Sequence, residues 1–61
     1  MIENISASAL DALIGHTMLV KTDDDWYVGK LAWGGKRGFR VVIGDRGAVF
    51  RNQWRSLWLL S

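Results

Sequence analysis

No cysteine occurs among the 61 residues, and His16 is the only histidine. Whatever fold this chain adopts is therefore held without a disulfide, a thiolate zinc site or an iron–sulfur cluster. A chain of this length buries only about 60% of the surface it exposes when unfolded. With no covalent or metal staple, stability must come from a dense apolar core and from contact with other copies. The sequence is equipped for both, being 49% hydrophobic with four tryptophans, two phenylalanines and one tyrosine. Each such ring carries roughly 150–250 Å² of buriable surface. That content is too apolar for a disordered chain, and the length has room for one domain spanning residues 1–61.

The uninterrupted apolar runs are short, so no membrane-spanning helix and no membrane partner are expected. Met1-Ile2-Glu3-Asn4 lacks the basic start and apolar stretch of a signal peptide. A soluble protein of the cytoplasm is the expectation, and the lack of cysteine agrees with a reducing compartment.

The hydrophobic period changes along the chain. Residues 6–14 read as one short helix, with Ser6 as N-cap, Ile5 and Leu10 placed for a hydrophobic staple, and Leu10, Leu13 and Ile14 on one face. Gly15 is placed to end it in the left-handed conformation. Beyond Gly15 the pattern is that of short strands: Thr17–Thr22, Trp26–Trp33, Phe39–Ile43, Ala48–Arg51 and Ser56–Leu60. Asp23-Asp24-Asp25 and Gly44-Asp45-Arg46-Gly47 supply tight connections, and Gly34-Gly35-Lys36-Arg37-Gly38 a glycine-rich basic loop. In the second strand Tyr27, Leu31 and Trp33 share the inner face, opposite Trp26, Val28, Lys30 and Ala32. The last twelve residues fit two patterns: a helix capped by Asn52 with Trp54, Leu57 and Trp58 on one side, or a 3₁₀ turn at Asn52-Gln53-Trp54 followed by a strand. The strand is preferred. It is apolar on both faces, which makes it a hazardous edge unless something pairs with it.

Charge is unevenly divided. Residues 1–28 carry five carboxylates against Lys21, a net of −4, whereas residues 29–61 carry seven basic side chains against Asp45, a net of +6. A basic half on a small domain points to an anionic partner, most often nucleic acid, or else to a solvated surface balanced by the acidic half.

A short helix followed by five short strands, with a helical turn before the last, gives a mainly β fold: a small SH3-like or Sm-like five-stranded barrel with a short N-terminal helix. The match reaches individual residues. Leu10-Asp11-Ala12-Leu13 resembles the end of the N-terminal helix of Hfq-type Sm-like proteins. Tyr27-Val28-Gly29-Lys30-Leu31 resembles the Y-x-G-x-L of the first Sm motif, whose glycine implies a sharp bend in the second strand. Val49-Phe50-Arg51-Asn52-Gln53-Trp54-Arg55-Ser56 is similar to the stretch V-Y-K-H-A-I-S of Hfq and to the I-R-G of the second Sm motif. Three features depart from that pattern. Asp24-Asp25 stands where an Asp-Gly turn is found, Asn52 replaces the histidine, and the third strand lacks D-x-x-x-N. The resemblance thus implies the fold more strongly than the nucleotide site. Asp25-Trp26-Tyr27-x-Gly is equally similar to SH3 and Tudor barrels.

No catalytic set, metal site or cofactor is expected. His16 has only Asp11 as a candidate orienting acid, and Ser6, Ser8, Ser56 and Ser61 lack a nucleophile-elbow context. Consecutive aspartates point to opposite sides of an extended chain, so Asp23–Asp25 reads as a solvated turn rather than a cation site. The loop Gly34–Gly38 either brings backbone amides close to a phosphate or is a plain hairpin tip; it is not a Walker loop. Lys36, Arg37, Arg40, Arg46 and Arg51 fall on or beside the third and fourth strands, where they would form one basic strip for phosphates. Trp26, opposite the core face, would stack a base. Trp33 and Trp54 are assigned to the core or a subunit interface. Leu57, Trp58, Leu59 and Leu60 would join copies through the terminal strand. The expected function is non-enzymatic binding of nucleic acid, RNA or single-stranded DNA, by a homo-oligomer. The alternative is an SH3-like protein-interaction module, or a small modulator of a partner protein of the kind found in phage and plasmid genomes.

Overall fold

The computed structural model describes residues 6–61. The helix α1 covers Ala7–Ala12, followed by strands β1 (Thr17–Lys21), β2 (Trp26–Trp33), β3 (Phe39–Val42), β4 (Ala48–Phe50) and β5 (Ser56–Leu59). Three 3₁₀ turns, at Gly35–Arg37, Gly44–Arg46 and Arg51–Gln53, connect the later strands. The strands form one antiparallel sheet in the order β4-β3-β2-β1-β5. Edge strands β4 and β5 are not paired with each other, so the sheet is open.

Ser6 caps α1 as expected, its Oγ accepting a hydrogen bond from the amide of Ala9 at 3.2 Å. The proposed staple partner, Ile5, lies outside the described residues. The helix ends two residues earlier than the apolar spacing suggests. Gly15, at φ 90°, turns the chain so that its amide donates to Leu31 O at 2.8 Å, and Leu31 donates back to His16 O at 3.1 Å. Pairing with β2 thus captures the backbone before another helical turn can form. Ile14, expected on the inner face, is consequently 40% exposed.

Alternation places the core on one side of the sheet. Met18 and Val20 of β1, Leu31 of β2, Phe39 and Val41 of β3, Val49 of β4 and Leu57 of β5 are buried together with Leu10 from α1. Leu13, Tyr27, Ile43 and Trp54 pack around them. Trp54 satisfies its indole by donating Nε1–H to Val49 O at 3.0 Å. For Trp33, assigned to the core or a subunit interface, the first of the two does not hold. It has core-side parity, but β2 ends there, and its ring, 57% exposed, stands edge-on to Phe39 with centroids 4.9 Å apart.

At Gly29, β3 crosses so close that an added Cβ would collide with the carbonyl oxygen of Val42 and lie 2.8 Å from its carbon. No side chain fits there, which is why a glycine interrupts an otherwise bulky strand. The β1–β2 turn is organised less by its aspartates than by buried Thr22. The Thr22 hydroxyl accepts from the amides of Asp24 and Asp25 at 3.2 and 3.3 Å. The C-terminal residues form a 3₁₀ turn and a strand rather than a helix, with β5 pairing to β1 through Val20↔Leu57 and Leu19↔Trp58. That turn lies one residue earlier than expected, at Arg51–Gln53, fixed by Gln53 Oε1 accepting the Phe50 amide at 3.0 Å.

Candidate nucleic-acid interface

Because β3 and β4 are antiparallel, the turn entering β3 and the turn leaving β4 lie at the same end of the sheet. The first carries Lys36 and Arg37, the second Arg51. Arg37 reaches across to Phe50, its guanidinium lying 5.4 Å from the centre of the ring. Arg37, Phe50, Arg51, Asn52 and Gln53 line an open cleft of about 810 Å³.

Phe50 stands on the outer face of the sheet because its neighbour Val49 points into the core. Directly across the strand pair from it is Arg40. The Arg40 side chain runs beneath Gly34, its Nε about 3.3 Å from where a Cβ of Gly34 would be. That Nε is buried and has no hydrogen-bond partner among the described residues. A planar cation above an aromatic ring, with further cations beside it, offers phosphate oxygens charged donors and offers a base a π-face. The Gln53 side-chain carbonyl is engaged by the Phe50 amide, and Gln53 lines the cleft.

The expected basic strip is only partly assembled. Arg37, Arg51 and the Arg40–Phe50 pair come together, with Lys36 exposed in the same turn as Arg37. Arg46 does not join them. It occupies the Gly44–Arg46 turn at the opposite end of the β3–β4 pair, four β3 residues away, or roughly 13 Å. There it lines a smaller hollow with Thr22, Asp24 and Tyr27. Trp26 is also elsewhere: half-exposed on the outer face of β2, it stacks on Trp58 with ring centroids 5.2 Å apart, and Lys21 Nζ lies 5.7 Å from its ring centre. One face of the ring proposed for a base is thus occupied by a second tryptophan.

Phe50 is the residue that sequence reasoning missed. The signal was its alternation with Val49, since a residue next to a core position on a strand points outward. Of the terminal-strand residues expected at an interface, Leu57 is buried within the chain itself, while Leu59 and Leu60 are about half exposed and Trp58 partly so.

Other candidate chemistry is accounted for by structural contacts. The Asp23 carboxylate takes both Nε–H and Nη2–H of Arg55 at 2.9 Å. Asp25 accepts the Trp26 amide, and His16 Nδ1 lies 2.8 Å from Ser61 O. Among the described residues no three His, Cys, Asp or Glu side chains gather to hold a metal ion, and no helix is long and apolar enough to cross a membrane. No protein-family model, curated protein or solved structure matches the chain.

Proposed function

We propose that this chain is a non-enzymatic binder of single-stranded nucleic acid, RNA ahead of single-stranded DNA, working in the cytoplasm as a homo-oligomer. The observation that carries the reading is the Arg37 guanidinium over Phe50, with Arg51, Asn52 and Gln53 around the same cleft. Lys36, Arg37 and Arg51 contact phosphates, and Arg40 adds positive charge behind the ring. A base enters against Phe50, displacing or sandwiching the guanidinium. Single strands are favoured because an aromatic ring in a cleft needs an unstacked base, which a duplex does not present.

The finer fold reading belongs to the same proposal: the open five-stranded sheet is of the SH3-like or Sm-like kind, curled into a barrel. In its favour are the close approach of β3 at Gly29 and the gathering of the core on one side of all five strands. The segment that resembles the second Sm motif is also the one that supplies Phe50, Arg51, Asn52 and Gln53 to the cleft.

Fluorescence anisotropy with labelled RNA, single-stranded DNA and duplex DNA at about 50 mM salt tests the reading, because phosphate-driven binding is strongest at low salt. Binding to the single strands in preference to duplex is expected. Failure of both single strands to bind ends the proposal and leaves the protein-interaction reading, which the exposed tryptophans favour.

A further inference from the structure

We propose that the hollow between the β1–β2 and β3–β4 turns takes one guanine base of the bound single strand. This rests on the nucleic-acid reading above and names the base that reading prefers.

Three parts of the chain build the hollow. Thr22 and Asp24 come from the β1–β2 turn, Ile43 and Arg46 from the β3–β4 turn, and Tyr27 and Gln53 from β2 and the last 3₁₀ turn. Both turns are fixed through their backbones. Thr22 donates its amide to Asp25 O at 2.9 Å while its hydroxyl receives the amides of Asp24 and Asp25. In the other turn Ile43 donates to Gly47 O at 2.8 Å and Arg46 to Ile43 O at 2.9 Å. The two charged side chains are therefore carried on turns already set in place.

Their charges are unspent. Of the three consecutive aspartates, Asp23 is held by Arg55 and Asp25 accepts the Trp26 amide. The Asp24 carboxylate has no such partner among the described residues, and neither has the Arg46 guanidinium. They line one hollow without pairing with each other. A carboxylate disfavours a simple anion there, and a guanidinium disfavours a metal ion. What suits both is a neutral polar group with donors along one edge and acceptors along another. At about 230 Å³ the hollow is smaller than the roughly 300–1,000 Å³ of pockets for drug-sized ligands. One flat ring system is the right scale, with Tyr27 and Ile43 supplying apolar wall.

Guanine is the base whose edges match. Its N1–H and N2–H are adjacent donors, which a carboxylate accepts together, and its O6 and N7 are adjacent acceptors, which a guanidinium meets as a fork. Adenine, cytosine and uracil each lack one of these pairs. Recognition of splayed-out bases by their edges is how single-stranded RNA is read in general. The hollow is also within reach of a strand in the Phe50 cleft, because Gln53 lines both. Arg46 thus reads a base while Arg37 and Arg51 hold phosphates.

Anisotropy of the full chain at low salt, with labelled oligouridine carrying one central guanosine, adenosine, cytidine or inosine, is the test. The guanosine strand should bind about tenfold or more tightly than the others and than oligouridine itself. Inosine, which lacks only the 2-amino donor, should lose most of that gain. Asp24→Asn keeps the shape of the exposed side chain but replaces one acceptor oxygen with a donor. It should abolish the preference while leaving oligouridine affinity within a few-fold of wild type. Arg46→Ala should likewise weaken the guanosine strand alone. Circular dichroism confirms that both variants keep the fold. A wild-type protein that binds all these strands equally overturns this inference and leaves the nucleic-acid reading standing. A guanosine preference that survives Asp24→Asn or Arg46→Ala also overturns it, since the base is then read elsewhere. If no strand binds, both readings fall.

Discussion

The Arg37 guanidinium lies over Phe50, 5.4 Å from the ring centre, and so joins the turn entering β3 to the end of β4. Two segments thirteen positions apart in sequence thereby make one side of a cleft, and neither holds the complete set of groups. In the proposed reading the cleft's cations meet phosphates and its aromatic ring a base, so their substitutions should have different signatures.

The cations should act through salt. On single strands each phosphate contact contributes a slope of about −0.7 to log K against log salt. Arg37→Ala is expected to weaken binding to all sequences alike and to make the slope shallower by roughly 0.7. Arg46→Ala, at the far end of the β3–β4 pair, should leave the slope unchanged. Anisotropy titrations at several salt concentrations measure both.

Gly29→Ala should be among the most damaging small substitutions in the chain. The added methyl would meet backbone, the Val42 carbonyl, together with Val41 Cγ1 at 3.0 Å, and backbone cannot rotate away as a side chain can. A loss of roughly 3 kcal/mol is expected, from overpacking and displaced pairing between β2 and β3. Urea unfolding monitored by tryptophan fluorescence checks it. An unchanged midpoint would mean that β3 does not cross so closely.

Much of the fold was legible because alternation and turn chemistry are local. Val49 and Val41 declare their side of the sheet by parity, and Ser6 declares a helix start. The end of α1 was not legible. It depends on Gly15 and His16 pairing with Leu31, sixteen and fifteen positions away, and no local pattern encodes that pairing. Trp33 stands outside the chain's own core for a related reason, since parity says which way a side chain points but not whether the sheet still covers it there. The candidate site was half legible. Charge identified Lys36, Arg37, Arg40 and Arg51, but a list of arginines carries no positions, so Arg46 was grouped with residues at the other end of the sheet. Trp26 was singled out for exposure alone, and its stack with Trp58 arises from β1 lying between β2 and β5.

Asp23 and Arg55 make a two-pronged ion pair between the β1–β2 turn and the start of β5. Both side chains are more than half exposed, so water screens the attraction. Asp23→Ala is expected to cost under about 1 kcal/mol, and the difference from wild type should shrink as salt is raised. Thermal unfolding at low and high salt measures this. A larger, salt-independent loss would assign the pair a structural role beyond charge.

Phe50 tests the central claim most directly. Phe50→Leu keeps an apolar side chain on the outer face while removing the aromatic ring. If a base stacks there, affinity for a labelled single-stranded RNA should fall by about 1–3 kcal/mol, that is, roughly five- to 150-fold. The slope of log K against log salt should stay that of wild type, because no phosphate contact is lost. Anisotropy titrations of both proteins across a salt series, with circular dichroism confirming the fold, give both quantities. Wild-type affinity in the Phe50→Leu protein would contradict the account, as would a change confined to the salt slope.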